Sequence, residues 1–363
     1  MRRTWSQAFR SVALLLMFGF GCFVTEARVI TREQEIENRA RLLHEKAMKD
    51  ALRGAPEEAL ARFAAVVKAY PKSSVAVESQ WEVVRLNEFF SDYVAAFDAL
   101  QLLIDHYPGN FERALRKQFE IALRQLVRYD QLQRLPEPKK PRDLPDKEQV
   151  SAMLRIVIEN GPYAENVAEA SYYLAVALEK EGKIPQSAMQ HEDFMERFPN
   201  HPLADDSAYQ VAYIMYKAWM KMKGGAPSNR ERAAMAMNWF LARYPESDKA
   251  AQARGCLDEI RHAEKAELVQ LAEFYQKRGD ERAAAVYHRE LASRFPELAP
   301  EGSALREKVM VLMEKYPELK DQPLQGASHN ALPNFDEHST LPDVLKPEDI
   351  FQFDEEESGQ SNR

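Results

Sequence analysis

Proline stops constrain this chain more than any other feature. Ala59, Phe63, Val66 and Tyr70 lie at i, i+4, i+7 and i+11, which places them on one face of a helix, and Pro71 follows at once. Proline has no N–H to give and its ring blocks the preceding turn, so the helix ends there. The frame then returns. Ala96, Leu100, Leu103 and Tyr107 precede Pro108, and Val150, Leu154, Val157 and Gly161 precede Pro162. Ser187, His191, Phe194 and Phe198 precede Pro199. Ala233, Met237, Phe240 and Tyr244 precede Pro245, and Ala284, His288, Leu291 and Phe295 precede Pro296. First and last positions are 11 residues apart in every copy.

Successive stops are 37, 54, 37, 46 and 51 residues apart. The shorter intervals approach the roughly 34-residue tetratricopeptide period, and the longer ones carry insertions. The expected fold is all-α: a tetratricopeptide-like solenoid of about six stacked helical hairpins. Only 13 of 363 residues are Gly, which suits long helices and short turns, and no run alternates like a strand.

The expected organisation follows. Residues 1–27 read as a signal peptide: Arg2, Arg3 and Arg10 precede an apolar stretch from Val12 to Phe20 that is too short to span a membrane. Cleavage after Ala27 and lipidation at Cys22 are both open readings. In either case the mature chain is exported to a bacterial envelope, and only a lipid anchor or a partner ties it to a membrane. N-terminal repeats fill 28–134 and C-terminal repeats 147–316. The connector 135–146 holds Pro136, Pro138, Pro141 and Pro145, a stiff extended composition. It is either an insertion or a boundary between two half-arrays. Ser73 or Ser74 is the expected N-cap of the helix after Pro71. Residues 248–277 form one long helix or two short ones, and a capping helix covers 303–316.

Residues 317–363 are expected to be a disordered acidic tail. From Asn334 onward nine acids face Lys346 and Arg363, so that stretch contributes -7 of the net -8. The near-neutral remainder gives no support to nucleic-acid binding. Ile350-Phe351-Gln352-Phe353 is a candidate docking motif, although a solubilising tail is the simpler reading.

Site chemistry points to binding. Aromatic rings gather on the first helices of the hairpins: Trp81, Tyr172, Tyr173, Tyr209, Tyr213, Tyr216 and Trp219. Such rings suit a groove for an extended peptide or a partner helix, and also suit packing between hairpins. Glu259-x-x-His262 has a metal-site spacing but no second copy to complete a cage. No phosphate loop, nucleophile elbow or zinc pair is present. No catalytic residue, metal site or cofactor is expected. Cys256 reads as a small buried apolar residue.

The stretch Phe198-Pro-Asn-His-Pro-Leu-Ala-Asp-Asp-Ser-Ala-Tyr209 resembles the BamD family of outer-membrane-assembly lipoproteins, and the likeness is strongest from Arg230 to Glu297. There a helix, Tyr-Pro-x-Ser, a long charged helix, Phe-Tyr-x-Lys-Arg-Gly and a final Phe-Pro follow in family order. The resemblance covers roughly 33–316. It implies a non-enzymatic scaffold on the periplasmic face of the outer membrane. The implied partners are other envelope proteins, namely the β-barrel insertase and unfolded barrel segments. Periplasmic tetratricopeptide adaptors of the CpoB (YbgF) type share the core motif, so an adaptor for cell-wall or secretion machinery is the alternative.

Overall fold

The computed structural model describes residues 32–134, 147–221, 227–322 and 340–342. The signal peptide, Cys22, the connector 135–146 and the Ile350–Phe353 motif lie outside the described residues. The described residues are helical throughout their regular structure, with no strand. The chain divides into two compact units, 1–166 and 167–363.

The first unit contains α1 (32–52), α2 (Pro56–Ala69), α3 (Ala76–Phe89), α4 (Tyr93–His106), α5 (Phe111–Gln133) and α6 (Lys147–Asn160). Each of α2 to α6 packs on its predecessor or successor in sequence. Helices α5 and α6, which flank the connector in sequence, pack together. The second unit contains α7 (Val167–Glu181), α8 (Ile184–Arg197), α9 (Ala204–Lys221), α10 (Pro227–Arg243), α11 (Ala250–Arg278), α12 (Glu281–Arg294) and α13 (Ala304–Lys315). These again pair with their neighbours, and α9 also touches α11.

Two turn types alternate. After α2, α4, α8 and α12 the residue before proline leaves helical geometry: Tyr70, Tyr107, Phe198 and Phe295 have φ between -135° and -125° with ψ of 53° to 75°. The proline ring clashes with a helical predecessor and forces this. The other turns use left-handed backbone. Gly279 has φ 79° and lets Asp280 N–H reach the Tyr275 carbonyl at 3.0 Å. Ser91 does the same work without being glycine, at φ 60°, and Asp92 N–H reaches the Asn87 carbonyl at 2.9 Å. Asp92 and Asp280 then cap α4 and α12 by accepting from Ala95 and Ala283 N–H, each at 3.0 Å.

The recurring frame is the core. Ala59, Phe63 and Val66, then Ala96, Leu100 and Leu103, then Ala233, Met237 and Phe240 are all wholly buried. Three polar frame residues, Ser187, His191 and His288, are buried as well. His191 Nδ1 lies 3.2 Å from Ser207 Oγ, just as His44 on α1 lies 2.9 Å from Ser79 Oγ on α3. Burial pushes the His191 imidazole down to about 3, so it is neutral in the folded chain. His288 is pushed down too, by burial and then by Lys308.

Several boundaries differ from expectation for physical reasons. The N-cap of α3 is Val75, with no side-chain cap. Ser74 is instead drawn to Glu37 on α1: its N–H donates at 3.1 Å and its hydroxyl also donates to that carboxylate. These donors, with Arg41, hold the Glu37 carboxyl down to about 2. A tertiary carboxylate has outcompeted local capping. Helix α10 begins at Pro227, a residue that suits a first turn. Residues 250–278 form one helix despite Gly255. Order also runs past the expected boundary at 317. Leu305, Val309, Leu312 and Tyr316 repeat the frame before Pro317, and Leu319 beyond it is buried in a cluster with Ala285 and Met313.

The interface of α11 and α12 buries charge. Glu264, Glu290 and Arg294 are all under a tenth exposed, with Arg294 bonded to Glu264 and 3.7 Å from Glu290. Removing the cation takes a buried ion partner from two carboxylates, so Arg294→Met should lower stability by about 3–5 kcal/mol. Denaturant titration of the full chain checks this. Ser91→Gly should raise stability by about 1 kcal/mol, because glycine carries no penalty at positive φ.

The pH response of His191 has a definite sign. Its folded value lies below the unfolded one, so the unfolded chain takes up the proton first and stability falls as pH drops from about 6.5 toward about 3. His191→Phe, which installs the residue that Phe63 provides in the first frame, should flatten that fall. Melting temperatures between pH 7 and 4 compare the two; parallel curves would contradict the assignment.

Candidate partner-binding surface

The first unit offers a groove of about 540 Å³ between α3 and α5. Trp81 sits on its wall, half-buried. Its indole N–H donates to Asn110 Oδ1 at 3.1 Å, and the Arg113 guanidinium lies 4.0 Å over the ring centroid. The ring is therefore fixed from one edge and one face, which lowers the entropy cost of binding against it. Charges around it are of both signs. Lys117 bridges Glu88 and Glu120, each at 3.2 Å, and Arg85 holds Glu82 at 2.6 Å. Such a lining favours a mixed or polar chain over a purely anionic one.

The second unit carries the aromatic ladder of α9. Tyr209, Tyr213, Tyr216 and Trp219 follow at i, i+4, i+7 and i+10, so their rings lie one above another. Tyr209 and Tyr213 stack at 5.6 Å and Tyr213 and Tyr216 at 5.8 Å, while Tyr216 and Trp219 meet at 5.8 Å with their planes tilted by 53°. The ladder is not uniformly available. Tyr209 and Tyr216 are buried members of the cluster that α9, α10 and α11 share, and Tyr209 meets Phe240 edge-on at 5.5 Å. Tyr216 also donates its hydroxyl to Glu259. Burial pushes the Tyr209 phenol up to about 12 and raises that of Tyr216 as well. These two rings are packing residues first.

Tyr213 and Trp219 are half-buried against the edge of the same cluster. Lys217 stands 4.5 Å from the Tyr213 ring centroid and reaches Glu179 on α7 at 3.3 Å. That places α7 beside α9. Tyr172 and Tyr173 are half-buried on α7 and meet edge-on at 5.3 Å. Tyr172 also contacts the rings of His191 and Phe194 on α8, and burial pushes its phenol up to about 12. The half-buried rings are thus Tyr172 and Tyr173 on α7 and Tyr213 and Trp219 on α9, and the Lys217–Glu179 ion pair links the two helices.

Glu259 is engaged by Tyr216, while His262 is exposed on α11. No group of three or more metal-ligating side chains exists among the described residues. Cys256 is buried, and burial pushes its thiol up. No helix among the described residues is long and apolar enough to cross a membrane. The sequence reading did not single out Phe89 and Phe90, exposed at the α3–α4 turn and paired edge-on at 5.3 Å. Their adjacency beside the positive-φ Ser91 was the available signal.

Comparison with known proteins fits this architecture. No curated protein matches the chain. Residues 146–325 match the family model YfiO, described as an outer membrane lipoprotein. The match starts at the head of α6 and runs past α13. Through these residues the chain belongs to the YfiO outer membrane lipoprotein family, the BamD-like group that its proline-stopped helices resemble.

Proposed function

We propose that the chain is a non-enzymatic scaffold at the periplasmic face of the outer membrane, acting in the assembly of β-barrel proteins there. The family match over 146–325 carries this reading. It works by non-covalent binding and needs no cofactor. The half-buried rings of Tyr172 and Tyr173 on α7 and of Tyr213 and Trp219 on α9 support it, because partly covered rings offer rigid apolar area at low entropy cost. The fixed indole of Trp81 in the α3–α5 groove suits an extended segment, such as a stretch of an unfolded barrel protein. The proposed partners are the β-barrel insertase and its unfolded clients. Cys22 is the proposed acylation site, consistent with the lipoprotein description of the family. The mass of the mature N-terminus tests it: a chain beginning at Arg28 would remove the anchor.

Depletion of the protein should lower the amount of folded barrel protein in the outer membrane. Unchanged barrel levels, with cell-wall synthases co-purifying instead, would favour the adaptor alternative and overturn the reading. At residue level, Tyr173→Ala combined with Trp219→Ala should weaken recovery of the insertase from solubilised envelopes about tenfold or more, with little loss of helicity. Tyr209→Ala should behave differently. It opens a cavity in the α9–α11 cluster and should cost about 3–5 kcal/mol of stability in a denaturant titration.

A further inference from the structure

One short piece of the acidic tail has a place on the helices. Residues 340–342 have no regular structure, yet Leu341 packs against the α9–α10–α11 cluster, at whose edge Tyr213 and Trp219 also lie. Leu341 and Pro342 are half-buried and Thr340 is exposed. We propose that Thr340-Leu341-Pro342 is a built-in ligand of this surface, a segment of the chain's own tail that occupies a site for extended peptides and must be displaced before another chain binds there.

The chemistry of the segment fits the role. Proline disfavours helical backbone at the residue before it, so Leu341 is biased toward an extended form before it docks. Less order is lost on binding, which is the advantage that proline-containing peptide ligands share. One leucine enters an apolar edge while the hydroxyl of Thr340 stays in water. The tether has a suitable length. Residues 323–339 separate Gln322 from Thr340. A run of that length reaches at most roughly 55–60 Å, well beyond the length of α9, about 27 Å. The effective concentration of the segment at its site is therefore of millimolar order.

That figure sets the strength of the device. A segment that binds in trans with Kd of about 0.1 mM, held at about 1 mM, weakens a competitor by about tenfold. The occupancy resists chance peptides and yields to a partner that presents several apolar side chains together. The required ligand class is an extended peptide with an apolar residue followed by proline. The inference concerns this surface and its occupant. It stands or falls separately from a role in outer-membrane assembly.

The test uses a fluorescein-labelled synthetic peptide with the sequence of residues 334–347, added to the full mature chain and to its Leu341→Asp variant. Anisotropy should show the variant binding the peptide about tenfold more tightly than the unsubstituted chain. A peptide carrying the same leucine-to-aspartate change should bind neither. Equal affinity for the two chains, or no saturable binding by the variant, would overturn the proposal. Hydrogen exchange gives an independent readout: amides of α9 to α11 should exchange faster in Leu341→Asp at unchanged helical circular dichroism. Unchanged protection there would show that the tail does not occupy the site. Leu341→Ala, with milder chemistry, should shift both readouts in the same direction.

Discussion

A residue that precedes proline cannot remain helical without a clash, and the proline itself has no N–H for the turn behind it. In this protein that restriction falls at the end of one helix after another. Because the aromatic ring before the proline stays tied to the frame one turn earlier, the point at which the helix stops also fixes which face is buried. Tyr70 N–H still reaches the Val66 carbonyl at 2.8 Å, and Phe295 N–H the Leu291 carbonyl at 2.9 Å. The opposite turns are governed by positive φ at Gly54, Ser91, Gly182 and Gly279. Neither turn type leaves the chain much freedom in entering the next helix. Register between neighbouring helices therefore follows from local sterics, and long-range packing has only to accept it.

A fixed register has consequences for polar residues. Ser79 and Ser207 each stand eight residues past a proline stop, and each meets an imidazole from a neighbouring helix. A buried serine opposite a buried histidine satisfies two groups that would otherwise be costly to desolvate. At His191 burial disfavours the charged imidazole, which is why this residue couples stability to acid pH. Arg294 with Glu264 and Glu290 is a stronger case of the same kind. Its ions are buried on both sides of the α11–α12 interface, where ion pairs specify a partner more than they add stability.

The helices and their core faces were legible in the sequence because a period of 3.6 ended by proline leaves little else to fit. The seventh frame, Leu305 to Tyr316, obeyed the same rule and was read only as a cap, since its positions are half-covered. Availability of the aromatic residues was not legible. Tyr209 and Tyr213 are both tyrosines on one helix, but α9 is packed by α8, α10 and α11, so a difference of one turn decides between core and margin. The buried triad was hidden because Glu290 and Arg294 sit four apart, the usual spacing of a solvated surface pair. Nothing local marks Leu341, whose neighbours in space lie about a hundred residues earlier.

These features together determine how a scaffold of this kind can bind without chemistry. Association is limited by the order that must be lost, and here the receiving side has lost it in advance: Trp81 is clamped by Arg113 and Asn110, and the α9 rings are stacked on buried members of the core. The entropy cost then falls on the incoming chain, which favours segments that are already extended. A preorganised apolar margin is also exposed to unwanted company. A tethered segment of marginal affinity answers that problem physically, because it covers the apolar edge at no translational cost and yields to any ligand with a second apolar anchor. Rigid turns, fixed rings and a weak internal competitor are in this sense one design, in which affinity is kept modest and selection rests on how many anchors a partner can present at once.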